Sequence, residues 1–336
     1  MGHNAIIGIV GGSGYIGSFL TNHLSKKYSI KIIDQKPPTC KLNLNCSFIP
    51  CDVTNFKQVN QALSDVDFVL HTAIIQIPLI NEQKRLAYNV NYVGTHNVCS
   101  VVDSNPRIKG MIMTGTWHTI GERELKGHID EEFGIRPDKV ENRARLYVLS
   151  KMAQEAIVRF HDEMSDKIFG IIRMGTVLGV GMPEKTAANI FIERGLKGQS
   201  ITPYKSSMYR PMLYVDIEDV CNSFGLYLDK IINDKIKKTE NSLGHIVNIY
   251  YPEPITILDL AQIVKKKIKQ MSDGKLDPLI EVVQDTNPIL FKENDKNEIK
   301  INNDKIQMLL GMLKITSPEE SIEKIIKMKL SMCLAH

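Results

Sequence analysis

Tyr147 and Lys151 stand four residues apart in a segment, 146–164, whose pattern predicts one long helix. Residues at this spacing lie on the same face of a helix. A phenol has a pKa near 10, and a neighbouring ammonium group favours the phenolate and so lowers that pKa. The pair can then take a proton from a hydroxyl group. Because the string Tyr-x-x-x-Lys is common by chance, its value depends on the elements around it.

A glycine-rich turn lies near the start of the chain. Gly11, Gly14 and Gly17 follow an apolar run, and Tyr15 and Ile16 begin an amphipathic stretch. Glycine allows the backbone to turn sharply and to approach a pyrophosphate closely, while the free N–H groups of the helix face that anion. Between a strand and a helix, this pattern is a strong indication of a dinucleotide site.

Carboxylates follow the next two predicted strands. Asp34 ends the second strand, where it can accept hydrogen bonds from both ribose hydroxyls of NAD and would repel the 2′-phosphate of NADP. Lys36 lies nearby, yet the position favours NAD. Asp52 and Val53 follow the third strand and can lie near the adenine, although Asp52 is also an ordinary helix cap.

Short apolar runs alternate with amphipathic stretches through the first half of the chain. This rhythm predicts an α/β fold, a doubly wound parallel sheet with helices on both faces. The predicted strands are 5–10, 30–34, 47–50, 67–71, 110–114 and 169–174, and the predicted helices are 15–26, 56–63, 92–102 and 146–164.

The pattern loosens after residue 175. We expect residues 1–175 to form the dinucleotide-binding domain, with a strand near 246–249 returning to its sheet, and residues 176–336 to form mainly a smaller substrate-binding cap. Segment 285–305 is polar and is predicted to be a loop. The predicted helices of this half are 190–196, 219–228, 257–269 and 318–332.

Composition excludes several classes of function. The 336 residues are 43% hydrophobic and 24% charged, with a formal net charge of only +4 and no aromatic residues among the basic runs, which argues against nucleic-acid binding. No apolar run is long enough to span a membrane. The six cysteines form no Cys-x-x-Cys pair and have no histidine cluster beside them, so we expect no metal site, free thiols and a soluble protein of the reducing cytoplasm.

With these residues in place, the chain resembles the NAD-dependent epimerase/dehydratase family of the extended short-chain dehydrogenase/reductases, which implies a Rossmann fold. Segments 71–73, 91–95, 114–116, 173–179 and 210–216 resemble family motifs. The resemblance implies that Thr72, Ala73 and Asn91 lie along the cofactor and that Thr116 is the third catalytic residue beside Tyr147 and Lys151. It also implies that Arg210 contacts a substrate diphosphate, although a surface arginine remains an alternative.

The chain departs from the family pattern next to Thr116. Family dehydratases carry Asp-Glu at the two following positions, where this sequence has Trp117 and His118, so sugar dehydration is not expected. Many epimerases have a tyrosine where this chain has Ile120. Trp117 can form an apolar wall for the substrate or can be a core residue. His118 can be a second acid or base, or a loop residue with no catalytic role.

Three hypotheses follow. The first is a nucleotide-sugar epimerase in which the hydride returns to the substrate and NAD is regenerated. The second is a net dehydrogenase or ketoreductase acting on a sugar, a sterol-like molecule or another secondary alcohol, with NADP as a less favoured cofactor. The third is a non-catalytic NAD-binding regulator. The resemblance also implies a homodimer that pairs through helices 92–102 and 146–164.

Overall fold

The centre of the protein is a parallel sheet whose inner strands are almost completely buried. The computed structural model describes residues 5–39 and 43–334. The strands, numbered in chain order, are β1 (Ile6–Val10), β2 (Ser29–Asp34), β3 (Cys46–Pro50), β4 (Phe68–His71), β5 (Gly110–Thr116), β6 (Gly127–Ile129), β7 (Ile168–Met174), β8 (Thr176–Leu178), β9 (Pro211–Met212), β10 (Tyr214–Asp216), β11 (Ile246–Ile249), β12 (Ile255–Thr256) and β13 (Ile299–Ile301).

Helices connect these strands. They are α1 (Tyr15–Leu24), α2 (Phe56–Ala62), α3 (Leu79–Glu82), α4 (Lys84–Tyr88), α5 (Thr95–Ser104), α6 (Arg145–Met164), α7 (Ala187–Leu196), α8 (Ile217–Ile232), α9 (Ile257–Met271), α10 (Asp304–Leu310) and α11 (Pro318–Leu334). A π-helical segment, Asn89–Gly94, precedes α5, and a short 3₁₀ helix, Trp117–Ile120, follows β5.

Seven strands form the main sheet in the order β11-β7-β5-β4-β1-β2-β3, and all of their pairings are parallel. Helices α1 and α8 pack on one face, and α5 and α6 pack on the other. Every residue of β5 and β7 is buried, as expected of strands covered on both sides. The predicted doubly wound α/β sheet is confirmed, and its strand order reverses between β1 and β4, where such sheets place their ligands.

The second half of the chain both covers the sheet and returns to it. Helices α7, α9 and α11 pack together over a separate apolar cluster. In contrast, α8 packs against α1, and β11 pairs with β7 at the edge of the main sheet. Segment 246–249 thus forms the edge strand of the main sheet, next to β7.

Two predicted segments differ from the structure. Segment 285–305 is not all loop, because β13 pairs in parallel with β6, and α10 begins at Asp304. Its strand partner lies far earlier in the chain, so the local pattern gave no sign of it. The predicted helix 92–102 begins inside the π-helical segment, and its regular α-helical part runs from Thr95 to Ser104.

Two negative observations concern residues 5–39 and 43–334. No helix in these ranges combines the length and the apolar character that crossing a bilayer requires. No group of three or more histidine, cysteine or acidic side chains there is arranged to hold a metal ion. Cys40, for which a free thiol is predicted, lies outside the described residues.

Candidate active site

The glycine-rich turn joins β1 to α1 at the point where the strand order reverses. Gly11 has φ +81°, and a Cβ atom there would lie 2.5 Å from the backbone nitrogen of Ala73. A Cβ atom on Gly17 would lie 2.4 Å from the carbonyl oxygen of Gly11. The Thr72 hydroxyl donates to that same carbonyl at 3.0 Å. The turn is thus packed between α1 and the segment after β4, and a side chain at either glycine would push them apart.

The N-terminus of α1 supplies free donors beside this turn. Gly14 is the N-cap and no side chain caps the helix, so the first N–H groups, which include those of Tyr15 and Ile16, have no partner within the helix. These groups fit the pyrophosphate of a dinucleotide. The Tyr15 side chain points away from the turn toward Gly179. A Cβ atom on Gly179 would lie only 2.6 Å from the Tyr15 hydroxyl oxygen. The tyrosine side chain thus packs against the loop after β8.

Asp34 is held in place beside the glycine turn. One carboxylate oxygen accepts the backbone N–H of Ser13 at 3.1 Å, and the other accepts that of Lys36 at 3.2 Å. The carboxylate is therefore fixed at the end of β2, next to the turn that fits the pyrophosphate. Its remaining lone pairs suit the ribose hydroxyls of NAD.

Asp52 and Val53 lie after β3, at the next strand end. The Asp52 carboxylate accepts hydrogen bonds from the backbone and the hydroxyl of Thr54, and the N-cap of α2 is Asn55. Val53 is buried, and its carbonyl accepts a hydrogen bond from Asn97. Asp52 thus orders the turn that leads into α2.

Asn91 is completely buried and bridges three segments. Its amide oxygen accepts the backbone N–H of Ile75 at 2.7 Å, and its nitrogen donates to the Ile75 carbonyl and to the Ser150 hydroxyl. Asn91 therefore fastens the segment after β4 to α6, the helix that carries Tyr147.

Thr116, Tyr147 and Lys151 come together where β5 ends against α6. Thr116 is hydrogen-bonded to Tyr147, and the ammonium group of Lys151 donates to the Thr114 carbonyl at 2.7 Å. Burial raises the pKa of Tyr147 above its usual value, and the Thr116 hydrogen bond acts in the opposite direction. Lys151 is not among the causes of this pKa shift, and its ammonium group lies against the Thr114 carbonyl.

A buried ion pair between α6 and β7 lies behind Lys151. Burial lowers the pKa of Lys151 to about 7, and the carboxylate of Glu155 acts in the opposite direction. Glu155 itself is held by Arg173 of β7 through two hydrogen bonds, of 2.6 Å and 3.0 Å. These two residues keep α6 in register with the sheet and place a carboxylate near the lysine.

Trp117 lies in the core between the sheet and the cap. Its side chain is 1% exposed, and the indole N–H donates to the Thr176 hydroxyl at 3.0 Å. The structure therefore corresponds to the core alternative for Trp117, and the open apolar wall is not observed.

His118 lies directly beside Thr116 and Tyr147. Its Nδ1 is 3.2 Å from the Thr116 hydroxyl oxygen, and its ring meets the Tyr147 ring edge-on with centroids 6.2 Å apart. On its other side, Nε2 is 3.5 Å from Glu122 Oε1. Glu122 was not predicted as a site residue, because a single glutamate after a glycine turn has no distinguishing signal in the sequence.

Arg210 is buried and paired with carboxylates, so the surface alternative for it is wrong. Its guanidinium donates to Glu141 at 2.7 Å and lies 3.8 Å from Glu122. Its Nε has no hydrogen-bond partner in the described part of the chain. Arg143 also pairs with Glu141, at 2.6 Å, whereas Arg145 only bonds to the neighbouring side chain of residue 142.

The chain is similar to known proteins over most of its length. Residues 7–249 match the model of the NAD dependent epimerase/dehydratase family. The 3 beta-hydroxysteroid dehydrogenase/Delta 5→4-isomerase of Monkeypox virus is 27% identical over 166 residues, which are 46% of this chain and 45% of the viral protein. The match thus spans less than half the length of that relative.

Two further similarities extend over nearly the whole chain. UDP-glucuronic acid decarboxylase 1 of Danio rerio is 22% identical over 330 residues, 95% of this chain and 71% of the fish protein. The structure of UDP-glucose 4-epimerase from Thermus thermophilus in complex with NAD superimposes with a TM-score of 0.75 at 20% identity, covering 96% of this chain and 98% of that one.

Proposed function

Because the chain belongs to the NAD-dependent epimerase/dehydratase family, we propose that it transfers a hydride between NAD and a secondary alcohol. One observation carries this proposal. Thr116 and the Tyr147–Lys151 pair converge at the carboxyl end of β5, on the same edge of the sheet as the glycine turn. NAD, when bound, supplies the hydride acceptor.

The side chains and backbone of this chain bind NAD and the substrate and transfer the proton. The turn at Gly11 and the N-terminus of α1 hold the pyrophosphate, and Asp34 holds the ribose and favours NAD over NADP. Tyr147 takes the proton of the substrate hydroxyl, and Thr116 holds the substrate oxygen. Lys151, buried below them, supplies a positive charge that favours the phenolate during the reaction.

The charges around the substrate side of the site favour an uncharged alcohol and a net dehydrogenase. Arg143 and Arg210 face Glu122 and Glu141, so the two positive charges are already balanced by two negative ones. A diphosphate would have to break the pairing between Arg210 and Glu141 to gain a buried cation, and separating a buried pair is costly. The similarity to a viral hydroxysteroid dehydrogenase supports the same choice.

A nucleotide-sugar epimerase is the second candidate, and a specific observation favours it. The Nε of Arg210 is buried without a hydrogen-bond partner among the described residues, so it retains one donor for a substrate oxygen. The similarity to a UDP-glucuronic acid decarboxylase over 95% of this chain also supports this candidate. In that case the hydride would return to the substrate and no NADH would accumulate.

A single incubation distinguishes the candidates. Purified protein and NAD are mixed with UDP-glucose or with a 3β-hydroxysteroid, and NADH absorbance and product masses are followed. We expect NADH to appear together with a steroid product lighter by two hydrogens. A nucleotide sugar of unchanged mass and new retention time would establish the epimerase instead. NAD binding without any conversion would leave the non-catalytic regulator as the remaining hypothesis.

We also propose that the protein forms a homodimer through α5 and α6. Apolar side chains are exposed along this face of α6, where Phe160 is 65% exposed, Met164 59% and Leu149 40%. Val93, before α5, is 37% exposed. Burying these side chains against a second copy would be favourable by about 25 cal/mol for each Å². Phe160→Glu is therefore expected to give the mass of a monomer in light scattering at a concentration where the unmodified protein is a dimer.

Met308 provides the control for the dimer test. It is 77% exposed on α10, whose buried side chains Ile306 and Leu310 pack with α8 on the opposite face of the main sheet. Met308→Glu should leave the mass unchanged. A monomeric mass for the unmodified protein would contradict the proposal.

A further inference from the structure

His118 and Glu122 form a polar pair next to Thr116, and the proposed reaction leaves both without a role. Glu122 is 1% exposed, and its Oε1 makes no hydrogen bond with the described residues. The three nitrogens that face this oxygen are His118 Nε2 at 3.5 Å and the guanidinium groups of Arg143 and Arg210 at 3.8 Å each. The imidazole is the nearest of them.

The backbone after β5 brings the two side chains together. The short 3₁₀ helix ends at Gly121, whose φ of +85° turns the chain back, and a Cβ atom there would lie 2.8 Å from the side chain of Lys139. Glu122 then bonds through its backbone N–H to the Lys139 carbonyl at 2.7 Å. Its Oε2 accepts the backbone N–H of Glu141 at 3.0 Å, which leaves Oε1 aimed at the imidazole.

Burial keeps the His118 ring neutral. Burial lowers the pKa of His118 to about 4, although Glu122 and Glu141 act to raise it. Arg143 and Arg210 lower it further. At neutral pH one ring nitrogen therefore carries a hydrogen and the other carries a lone pair.

The position of Glu122 decides which nitrogen carries the hydrogen. A carboxylate repels a lone pair and attracts an N–H, so the Glu122 oxygen 3.5 Å from Nε2 favours the tautomer that carries its hydrogen on Nε2. Nδ1 then has a lone pair, and it faces the Thr116 hydroxyl at 3.2 Å. The hydroxyl of Thr116 has a single hydrogen, and this arrangement directs it to His118.

We propose that Glu122 and His118 are positioning residues that turn the Thr116 hydrogen away from the substrate, so that the site binds the alcohol better than the ketone. One lone pair of the Thr116 oxygen accepts the backbone N–H of His118 at 3.4 Å, and the other faces Tyr147. When an alcohol binds, and before its proton moves to Tyr147, it can accept the hydrogen of the Tyr147 hydroxyl and donate its own hydrogen to this second lone pair. A ketone has no hydrogen to donate and is left with the Tyr147 hydroxyl as a donor. The consequence for binding rests on the proposed alcohol chemistry, and it favours release of the ketone product, as a net dehydrogenase requires.

The ring tautomer is tested first, because it needs no substrate. In protein labelled with ¹⁵N-histidine, long-range proton–nitrogen spectra at neutral pH should show His118 with hydrogen on Nε2. His118→Asn identifies the signals by their loss. Glu122→Gln should shift the tautomer toward Nδ1–H, because an amide can present either a donor or an acceptor. Hydrogen on Nδ1 in the unmodified protein, or an unchanged tautomer in Glu122→Gln, would overturn the proposal.

Ketone binding is tested second, with the alcohol that reduces NAD in the incubation above and its ketone product. Glu122→Gln frees the Thr116 hydrogen for the ketone, so the product-inhibition constant should fall by about 3- to 10-fold, the equivalent of one hydrogen bond. The KM of the alcohol should not fall with it. If Glu122→Gln bound both the alcohol and the ketone more weakly, the substitution would only have damaged the site, and the proposed preference for the alcohol would be refuted.

Further variants show whether the preference for the alcohol depends on an acceptor at the position of His118 Nδ1. His118→Asn keeps an oxygen acceptor near the position of Nδ1 and should preserve the preference for the alcohol, whereas His118→Phe should lose it. Glu124→Gln, a change at an exposed carboxylate paired with Lys139, should have no effect. If Tyr147→Phe leaves alcohol oxidation intact, the proposed function fails, while the tautomer result stands by itself.

Discussion

Replacing Tyr147 by phenylalanine should lower kcat by about 10²- to 10⁴-fold, the usual contribution of a positioned proton-transfer group. The substitution removes only the hydroxyl that is bonded to Thr116, and the ring remains packed beside His118. NAD binding should change little, because the glycine turn and Asp34 are untouched. Initial rates with the alcohol identified above, together with a fluorescence titration of NAD, measure both effects.

A second tyrosine makes the comparison specific. The Tyr28 hydroxyl bonds to Asp229 of α8, away from the catalytic residues, so Tyr28→Phe should keep the turnover number of the unmodified protein. If Tyr147→Phe retained more than about a tenth of kcat, proton transfer by this phenol would be refuted.

Replacing Arg173 by methionine should destabilise the protein by about 3–5 kcal/mol, because it leaves the Glu155 carboxylate buried without its partner. The pair is 2% and 4% exposed at the side chains, and Arg173 also donates to the Glu131 carbonyl at 3.1 Å. Folded proteins are stable by only about 5–15 kcal/mol, so this loss is a large share of the total. Urea unfolding followed by circular dichroism measures it.

The double replacement tests the physical reason. Arg173→Met combined with Glu155→Leu removes both charges, and apolar pairs of similar volume commonly restore most of the stability. If the double variant were as unstable as the single one, lost packing rather than a stranded charge would be the cause. Lys314→Ala, which breaks an ion pair with side chains 81% and 48% exposed, should leave the midpoint of urea unfolding unchanged.

The elements that could be predicted from the sequence are those whose pattern lies within one short stretch of residues. The glycine turn and the Tyr147–Lys151 spacing are contained in short stretches, and the strands that carry them are continuous apolar runs. Their positions in the structure follow from the parallel sheet, because the carboxyl ends of its strands meet on one edge. The return of 246–249 was also predictable from its apolar character.

The environment of the substrate could not be predicted, because it depends on contacts between distant residues. The sequence placed Arg210 either on the surface or at a diphosphate, but folding brings it to Glu141, 69 residues earlier. The burial of Trp117 depends on Thr176 and on the helices of the cap. Glu122 faces His118 only because Gly121 adopts a left-handed backbone conformation.

The late return of α8 and β11 to the sheet has a consequence for synthesis on the ribosome. When β7 has emerged, its outer edge still lacks β11, which is complete about 75 residues later, and the apolar side of α1 lacks α8, which is complete about 60 residues later. At about 5–20 residues per second the longer interval lasts roughly 4–15 s. Through most of it, the nascent chain presents an unpaired strand edge together with exposed Leu20 and Leu24, the features that lead to aggregation. The growing polypeptide is thus a natural client for chaperones that bind extended apolar segments.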